Sequence, residues 1–433
     1  MVLVLMKNSF LAASFLNFSM KGWFVLLFLV CISCSNNRRT DAFGTDSLVY
    51  IKIEKPYIPS LQPLRLSEFV DSIEYVQLEA TPECLLPFHI NGDELIKTDN
   101  LLFIFDLFDI LQFDISTGKF IRHIGRVGQG PGEYIQARTI VDTIERKVIV
   151  KSPGKKGLLT YDFEGKYLGD ISLDDGLDSL FTTCLYSVDF VGIFDENIIF
   201  LSEIMPAKQS CQPRELIVYD YKNKKLLYSL PNRMEGKYER FRVSTHGLRV
   251  MSKSNGLFFY KSFYNDTLYT INKEGINPYA IIDFGKRKLP ANSPFSRLFR
   301  EEYIGKILIT DAYILRDYIY FECQIIKDAQ WSDIDRFVCK YDIKTKKLNY
   351  YSSIIINDID GGINLEIRSI STGIIPIPPP DILDKEQTKP YFYTLEKSEL
   401  KYSELREKFE HMQASRNPDD NPLLMILHLK SDK

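Results

Sequence analysis

After residue 60, apolar and polar residues alternate along most of this chain at the period of two expected of half-buried β-strands. One pattern recurs: an apolar strand ending in aromatic-Asp, a short polar turn with Gly or Lys, and another apolar strand. It runs as LQFDISTGKF at 111–120, LTYDFEGKY at 159–167, IVYDYKNKKL at 217–226 and VCKYDIKTKKL at 338–348, with a weaker copy, LYTINKEG, at 268–275. Gly or Asn supplies the positive φ that a tight hairpin needs, and the strand-end Asp accepts hydrogen bonds from turn amides. Another strand precedes each hairpin, as at 99–106, 195–201, 254–260 and 316–322. Each unit therefore holds about four antiparallel strands, the makeup of a β-propeller blade rather than a solenoid coil. Successive turn positions Asp114, Asp162, Asp220, Asn272 and Asp342 lie 48, 58, 52 and 70 residues apart. These steps exceed the roughly 40–45 residues of a compact blade, so long loops are expected around 174–186, 203–214, 286–310 and 327–335.

A propeller is a ring and has to be sealed. Near the start, Ile73–Glu79 alternates as a strand should; near the end, residues 421–429 form an apolar run of strand length. Leu400, Leu405, Phe409 and Met412 recur at helical spacing between Glu396 and Gln413 and predict an amphipathic helix leading back to the ring. Five hairpins are visible and the tail supplies material for a sixth unit. The expected fold is all-β: a six-bladed β-propeller of four-stranded antiparallel blades over 61–433, closed by N- and C-terminal strands, with a short C-terminal helix.

Three segments carry a resemblance to a known family: LSEFVDSIEYVQLE at 66–79, GRVGQGPGEY at 125–134 and DDNPLLM at 419–425. With them the chain resembles the six-bladed β-propeller lipoproteins abundant in Bacteroides and relatives, themselves distantly similar to NHL-repeat propellers. The resemblance implies an exported, lipid-anchored propeller and brings no catalytic residues with it.

The N-terminus reads as an export signal: Met20-Lys21-Gly22 is a short positive region, Trp23 to Val30 an apolar one, and Cys31-Ile32-Ser33-Cys34 follows. A small residue directly before a cysteine resembles a lipobox, which makes Cys34 the expected acylated residue. Residues 1–34 are then a lipoprotein-type signal peptide, with Met20 as the expected true start, and 35–60 a flexible tether. The expected location is the cell envelope, as an outer-membrane lipoprotein. No acidic run follows Cys34, so the periplasmic and surface sides both stay open.

Composition narrows the function classes. The chain has 433 residues with 54 basic and 57 acidic side chains, a formal net charge of −3, without the concentrated basic excess of a nucleic-acid binder. Five cysteines follow Cys34: Cys84, Cys184, Cys211, Cys323 and Cys339. Neighbouring strands could bring Cys323 and Cys339 together, although buried free thiols are the reading preferred here. No C-x-x-C pair follows residue 34, so a structural zinc site of usual spacing is not expected.

The richest local signal is Gly125–Tyr134. Its glycines could form a nest of backbone amides for an anion beside Arg126, or a stiff inter-blade crossover in which Glu133 and Arg138 form an internal ion pair. It lacks the Lys-Ser/Thr and the helix of a nucleotide loop. Arg126, Glu133, Tyr134 and Arg138 are candidate ligand contacts, as is Trp331, whose neighbours are polar. His89, His123 and His246 are the alternative, a central metal site, without ligand-type spacing between any two. No nucleophile elbow or zinc-protease helix occurs. The leading expectation is a monomeric, non-catalytic binding module without a cofactor, for a glycan, peptide or envelope protein. A metal-dependent lyase or hydrolase acting in the central channel is the alternative.

Overall fold

The computed structural model of the protein describes residues 48–430 apart from 88–89, 91, 107, 156, 173–184, 195–197, 207–213, 232–248, 255–256, 263–265, 273, 289–299, 330–331 and 380–394. The chain divides into two units, Met1–Ser47 and Leu48–Lys433. The expected signal peptide, the Met20 start and Cys34 all fall in the first unit, outside the described residues.

In the second unit five four-stranded antiparallel sheets follow one another along the chain in a propeller arrangement. Blade 1 comprises Leu95–Thr98, Leu101–Phe105, Ile110–Asp114 and Phe120–His123. Blade 2 comprises Arg138–Asp142, Lys147–Lys151, Leu158–Asp162 and Tyr167–Ile171. Blade 3 holds Leu185–Phe194, Ile198–Pro206, Arg214–Asp220 and Lys225–Pro231. Blade 4 holds Arg249–Ser254, Leu257–Ser262, Thr267–Asn272 and Gly275–Asp283. Blade 5 holds Ile307–Leu315, Tyr318–Ile326, Ile334–Asp342 and Leu348–Ser352.

All five aromatic-Asp patterns land on the turn between the third and fourth strands of a blade. Asp114 Oδ1 accepts from the amides of Ser116 and Thr117, and Asp342 Oδ1 from those of Lys344 and Thr345. Asp162, Asp220 and Asn272 hold their turns in the same way. Positive φ is supplied by Gly118 and Gly165, but by Lys224 and Lys346 in blades 3 and 5, so the carboxylate grip holds the turn even without glycine or asparagine. At Gly118 a Cβ would stand 1.9 Å from the Gln77 carbonyl oxygen; there only glycine lets the turn of blade 1 touch the N-terminal strand of the ring.

Neighbouring blades pack face to face. Phe103 of blade 1 meets Val148 and Tyr161 of blade 2; Leu216 and Val218 of blade 3 meet Tyr260 and Ile271 of blade 4; Phe259 and Ile282 of blade 4 meet Ile309 and Phe321 of blade 5. Blades 2 and 3 are joined by the Tyr221 hydroxyl donating to Asp142 at 2.9 Å and by a Lys222–Glu145 ion pair. Cys323 and Cys339 do lie on adjacent strands of blade 5, as free buried thiols with Sγ atoms 3.9 Å apart. Cys84 is likewise free and buried; Cys184 and Cys211 lie outside the described residues.

Closure follows the expected route. Leu423–Leu429 is the middle strand of a three-stranded sheet, between Ile374–Ile377 and the N-terminal Val70–Gln77. Its register is antiparallel to both, with Leu423 opposite Gln77, Leu427 opposite Ile73 and Ile426 opposite Ile374. Ile73, Tyr75, Met425 and Leu427 pack on Tyr313, Tyr320 and Val338 of blade 5, while Val76, Leu424 and Ile426 pack on Leu102, Ile104 and Phe113 of blade 1. A strand covered on both faces needs apolar residues at every position, which is why 423–427 reads as a continuous run. Each such Leu, Ile or Met contributes about 1.5–3 kcal/mol on burial.

The expected sixth four-stranded blade is not confirmed: among the described residues the closing sheet has three strands. The chain after Gln77 spends its backbone groups elsewhere. The Glu79 amide donates to the Gly118 carbonyl, and the Asn421 side chain takes the Glu79 and Cys84 carbonyls and the Leu86 amide. Two further differences concern the termini. Within the stretch expected to be a tether, Val49–Lys52 adds a fifth strand to blade 4, parallel to Gly275–Asp283, burying Ile51 and Ile53. The C-terminal helix spans Ser403–Ala414, starting later than its apolar spacing suggested. Before it, the amides of Lys401 and Tyr402 are bonded to the carbonyls of Asp358 and Ile359, which holds the chain extended there.

Candidate binding face at the crossover end

The meander fixes where each connection emerges. In a four-stranded blade the turns after strands one and three lie at one end; the loop after strand two and the crossover to the next blade lie at the other. The first set is uniformly short, from 99–100 in blade 1 to 343–347 in blade 5. Among the described residues the second set contains the long crossover 124–137. The long loops expected around 174–186, 203–214, 286–310 and 327–335 lie in part outside the described residues.

The 124–137 crossover can be described in full. Tyr134 is completely buried, its hydroxyl donating to the Ile124 carbonyl at 3.1 Å. Tyr161 of blade 2 donates to the Gly132 carbonyl at 3.0 Å, and its ring stands edge-on to Tyr134. Burial pushes both phenols above their ordinary range, with Asp109 adding to the effect at Tyr134. Lys155, in the second loop of blade 2, donates to the Gln129 and Gly130 carbonyls at 2.9 and 2.8 Å.

The glycine-rich turn is filled by its own carboxylate. Glu133 accepts from the Gly130 amide at 2.8 Å and from Arg126 Nε at 2.7 Å. These two partners, the amide first, hold Glu133 below the usual carboxylate range. A Cβ at Gly128 would stand 2.1 Å from Glu133 Oε2, so glycine is what lets the carboxylate fold in. The Gly128 and Tyr134 amides are bonded within the turn as well. Arg126 itself remains 80% exposed, and Phe108, Val127 and Ile135 at the same end are exposed apolar residues. The result is a rigid loop presenting one guanidinium beside apolar side chains, suited to gripping a surface.

Of the other candidates, Arg138 opens the first strand of blade 2, and Glu133 is paired with Arg126. His123 ends blade 1 with Nδ1 2.9 Å from Asp109. His89, His246 and Trp331 lie outside the described residues. Among the described residues no group of three or more His, Cys, Asp or Glu side chains is placed to hold a metal ion.

Sequence reasoning missed two polar clusters. Glu322, in the middle of the apolar strand Tyr318–Ile326, is 4% exposed and sits opposite Asp311 on one side and Val338 on the other. Burial, and then Glu366 and Asp311, push its carboxyl up to about 8, against the opposing pull of Arg336 and Arg368. Glu366 is paired with Arg336 at 3.0 Å. A lone Glu inside an apolar strand was the available signal. The second cluster lies between 357 and 364. Asp360, fully buried, accepts from the Tyr75 hydroxyl at 2.6 Å, from Asn357 at 2.7 Å and from the Gly362 amide at 2.9 Å. Asp358 accepts from the amide and hydroxyl of Ser67. This loop therefore clasps the N-terminal segment to the end of blade 5.

Residues 48–428 match the profile of the family described as "Domain of unknown function (DUF4934)". Among solved structures, a Bacteroides fragilis protein named as a candidate exported protein is 14% identical, with 89% of this chain and 100% of that chain covered at a TM-score of 0.55. A DUF4221 family member from Bacteroides vulgatus is 11% identical over 65% of this chain and 87% of its own, at a TM-score of 0.38. The extracellular domain of a candidate hybrid two-component system from B. thetaiotaomicron is 10% identical over 68% of this chain and 32% of its own, at 0.33. The first of these likenesses is one of fold. No curated protein matches the sequence. No helix among the described residues is long and apolar enough to cross a membrane.

Proposed function

The chain belongs to the DUF4934 family, and from that premise we propose that it is an exported, non-catalytic binding module of the cell envelope, lipid-anchored at Cys34. Its crossover end grips a glycan, a peptide or an envelope protein. The closing sheet acts as the sixth blade of a ring related to the six-bladed NHL-like lipoproteins. The observation that carries the reading is the asymmetry among the described residues: short turns held by Asp or Asn at one end, and the long 124–137 crossover at the other. Loops set on a rigid scaffold are where recognition residues concentrate. The exposed Arg126, Val127 and Phe108 stand at that end, and the similar Bacteroides fragilis structure, described as an exported protein, supports the address.

The test has two arms. Protein lacking residues 1–34 is screened against immobilised peptidoglycan fragments and outer-membrane polysaccharides, then rescreened with Arg126→Ala/Val127→Ala and, as control, Lys224→Ala/Lys346→Ala. Binding lost only with the first pair supports the reading; equal loss with both pairs, or with neither, overturns the choice of end. For the anchor, Cys34→Ala is expected to abolish fatty-acid labelling and membrane retention. Retention and labelling that persist in the variant overturn it.

A further inference from the structure

The seam where the two ends of the ring meet holds a buried donor and a buried acceptor without a partner among the described residues, on side chains that both bond one atom. The main-chain carbonyl oxygen of Asn421 accepts from Gln77 Nε2 at 2.9 Å and from Arg416 Nη2 at 3.0 Å. Gln77 Nε2 also donates to the Leu78 carbonyl at 3.1 Å. Both of its partners are oxygens, so the amide has one permitted orientation; a flip would set oxygen against oxygen. Gln77 Oε1 is thereby turned away, buried and without a hydrogen-bond partner.

Arg416 shows the complementary deficit. Its Nη1 donates to the Pro378 carbonyl and to Gln413 Oε1, and its Nη2 to Asn421, yet the buried Nε has no partner. In a planar guanidinium Nε–H shares its edge with Nη2 and forms a two-pronged fork with it. The unmet prong therefore faces the same neighbourhood as the Asn421 carbonyl. Gln413 Nε2 is a further buried donor without a partner, on the amide whose oxygen Arg416 holds.

We propose that one ordered water molecule bridges Arg416 and Gln77 beside the Asn421 carbonyl, accepting from Nε–H and donating to Oε1. Water fits where ions do not: a cation meets the guanidinium and an anion meets the amide oxygen, whereas water both accepts and donates. The bridge links the end of Val70–Gln77, the residues just after helix Ser403–Ala414 and the entry to Leu423–Leu429. It gives the Asp-Asn-Pro segment a role: Asn421 grips Glu79, Cys84 and Leu86 with its side chain and organises the water with its main chain.

A crystal structure of the chain from Ser35 onward, with ordered solvent resolved, is the direct test. A density peak at about 2.7–3.2 Å from both Arg416 Nε and Gln77 Oε1 is expected. A dry contact, or a direct bond between the two side chains, overturns the proposal. In solution, a water-to-Arg416 Hε Overhauser signal should be present in the native chain and lost in Gln77→Met. A native chain without that signal, or a folded Gln77→Met variant that keeps it unchanged, counts against the bridge.

Discussion

Replacing Glu322 by glutamine should remove one specific dependence of stability on pH. The side chain is almost wholly enclosed in blade 5, beside Asp311 and Glu366, and its carboxyl is raised from the usual 4.5 to about 8. In the unfolded chain the group returns to its ordinary value. Between those two values the folded protein therefore holds a proton that the unfolded protein has released, so stability falls as pH rises through the window. The stabilisation is complete below pH about 4.5 and is lost by the time pH passes about 8. At about 1.36 kcal/mol per unit the full effect is about 5 kcal/mol, an upper limit because buried sites relax when charged. Glu322→Gln keeps the size and the hydrogen-bonding head but cannot ionise. The assay is urea unfolding of native chain and variant at half-unit steps from pH 5 to 8.5. The variant should match the native protein near pH 5 and exceed its stability increasingly towards pH 8.5. Taking the difference cancels the titration of all other groups. Parallel curves, or a variant advantage that shrinks with rising pH, refute the assignment of a neutral carboxylic acid inside blade 5.

Two further predictions concern the crossover and the seam. Gly128→Ala should destabilise the protein by about 1–3 kcal/mol, because the new Cβ meets the Glu133 carboxylate. In a Glu133→Ala background the cost should largely vanish in a thermal double-mutant cycle, and an undiminished cost shows that the carboxylate is not the obstacle. Deleting residues 420–433 removes the middle strand of the closing sheet and should abolish cooperative thermal unfolding. A truncated chain that melts like the full one shows that the ring is not sealed there.

What could be read in the sequence was whatever a short window encodes. The turns led by Asp114, Asp162, Asp220, Asn272 and Asp342 announce themselves because side chain and turn amides sit within five residues of each other. The pairing of 73–77 with 423–427 was legible for a different reason: the first run alternates as a strand does, and the second is too apolar to be left without a partner. Val49–Lys52 escaped notice because its alternation covers only a few residues and its partner, Gly275–Asp283, lies far along the chain. The link between Arg126 and Glu133 could not be found by periodicity, since a loop with Gly125 and Gly132 at positive φ has none. The 357–364 stretch reads as a polar surface loop, and only tertiary contact with Tyr75 and Ser67 turns its aspartates inward. Glu322 is the same lesson reversed, a charged residue type that the surrounding strand keeps from ionising.

The three-stranded sheet has a consequence for how the polypeptide matures. Val70–Gln77 is synthesised well before its partner Leu423–Leu429, which lies about 350 residues further along the chain. At about 5–20 residues per second the wait is roughly 20–70 s. Throughout that interval an adhesive strand edge and two uncovered apolar faces are available to any neighbour. The seal of the ring is therefore the step of folding that waits longest for its second half.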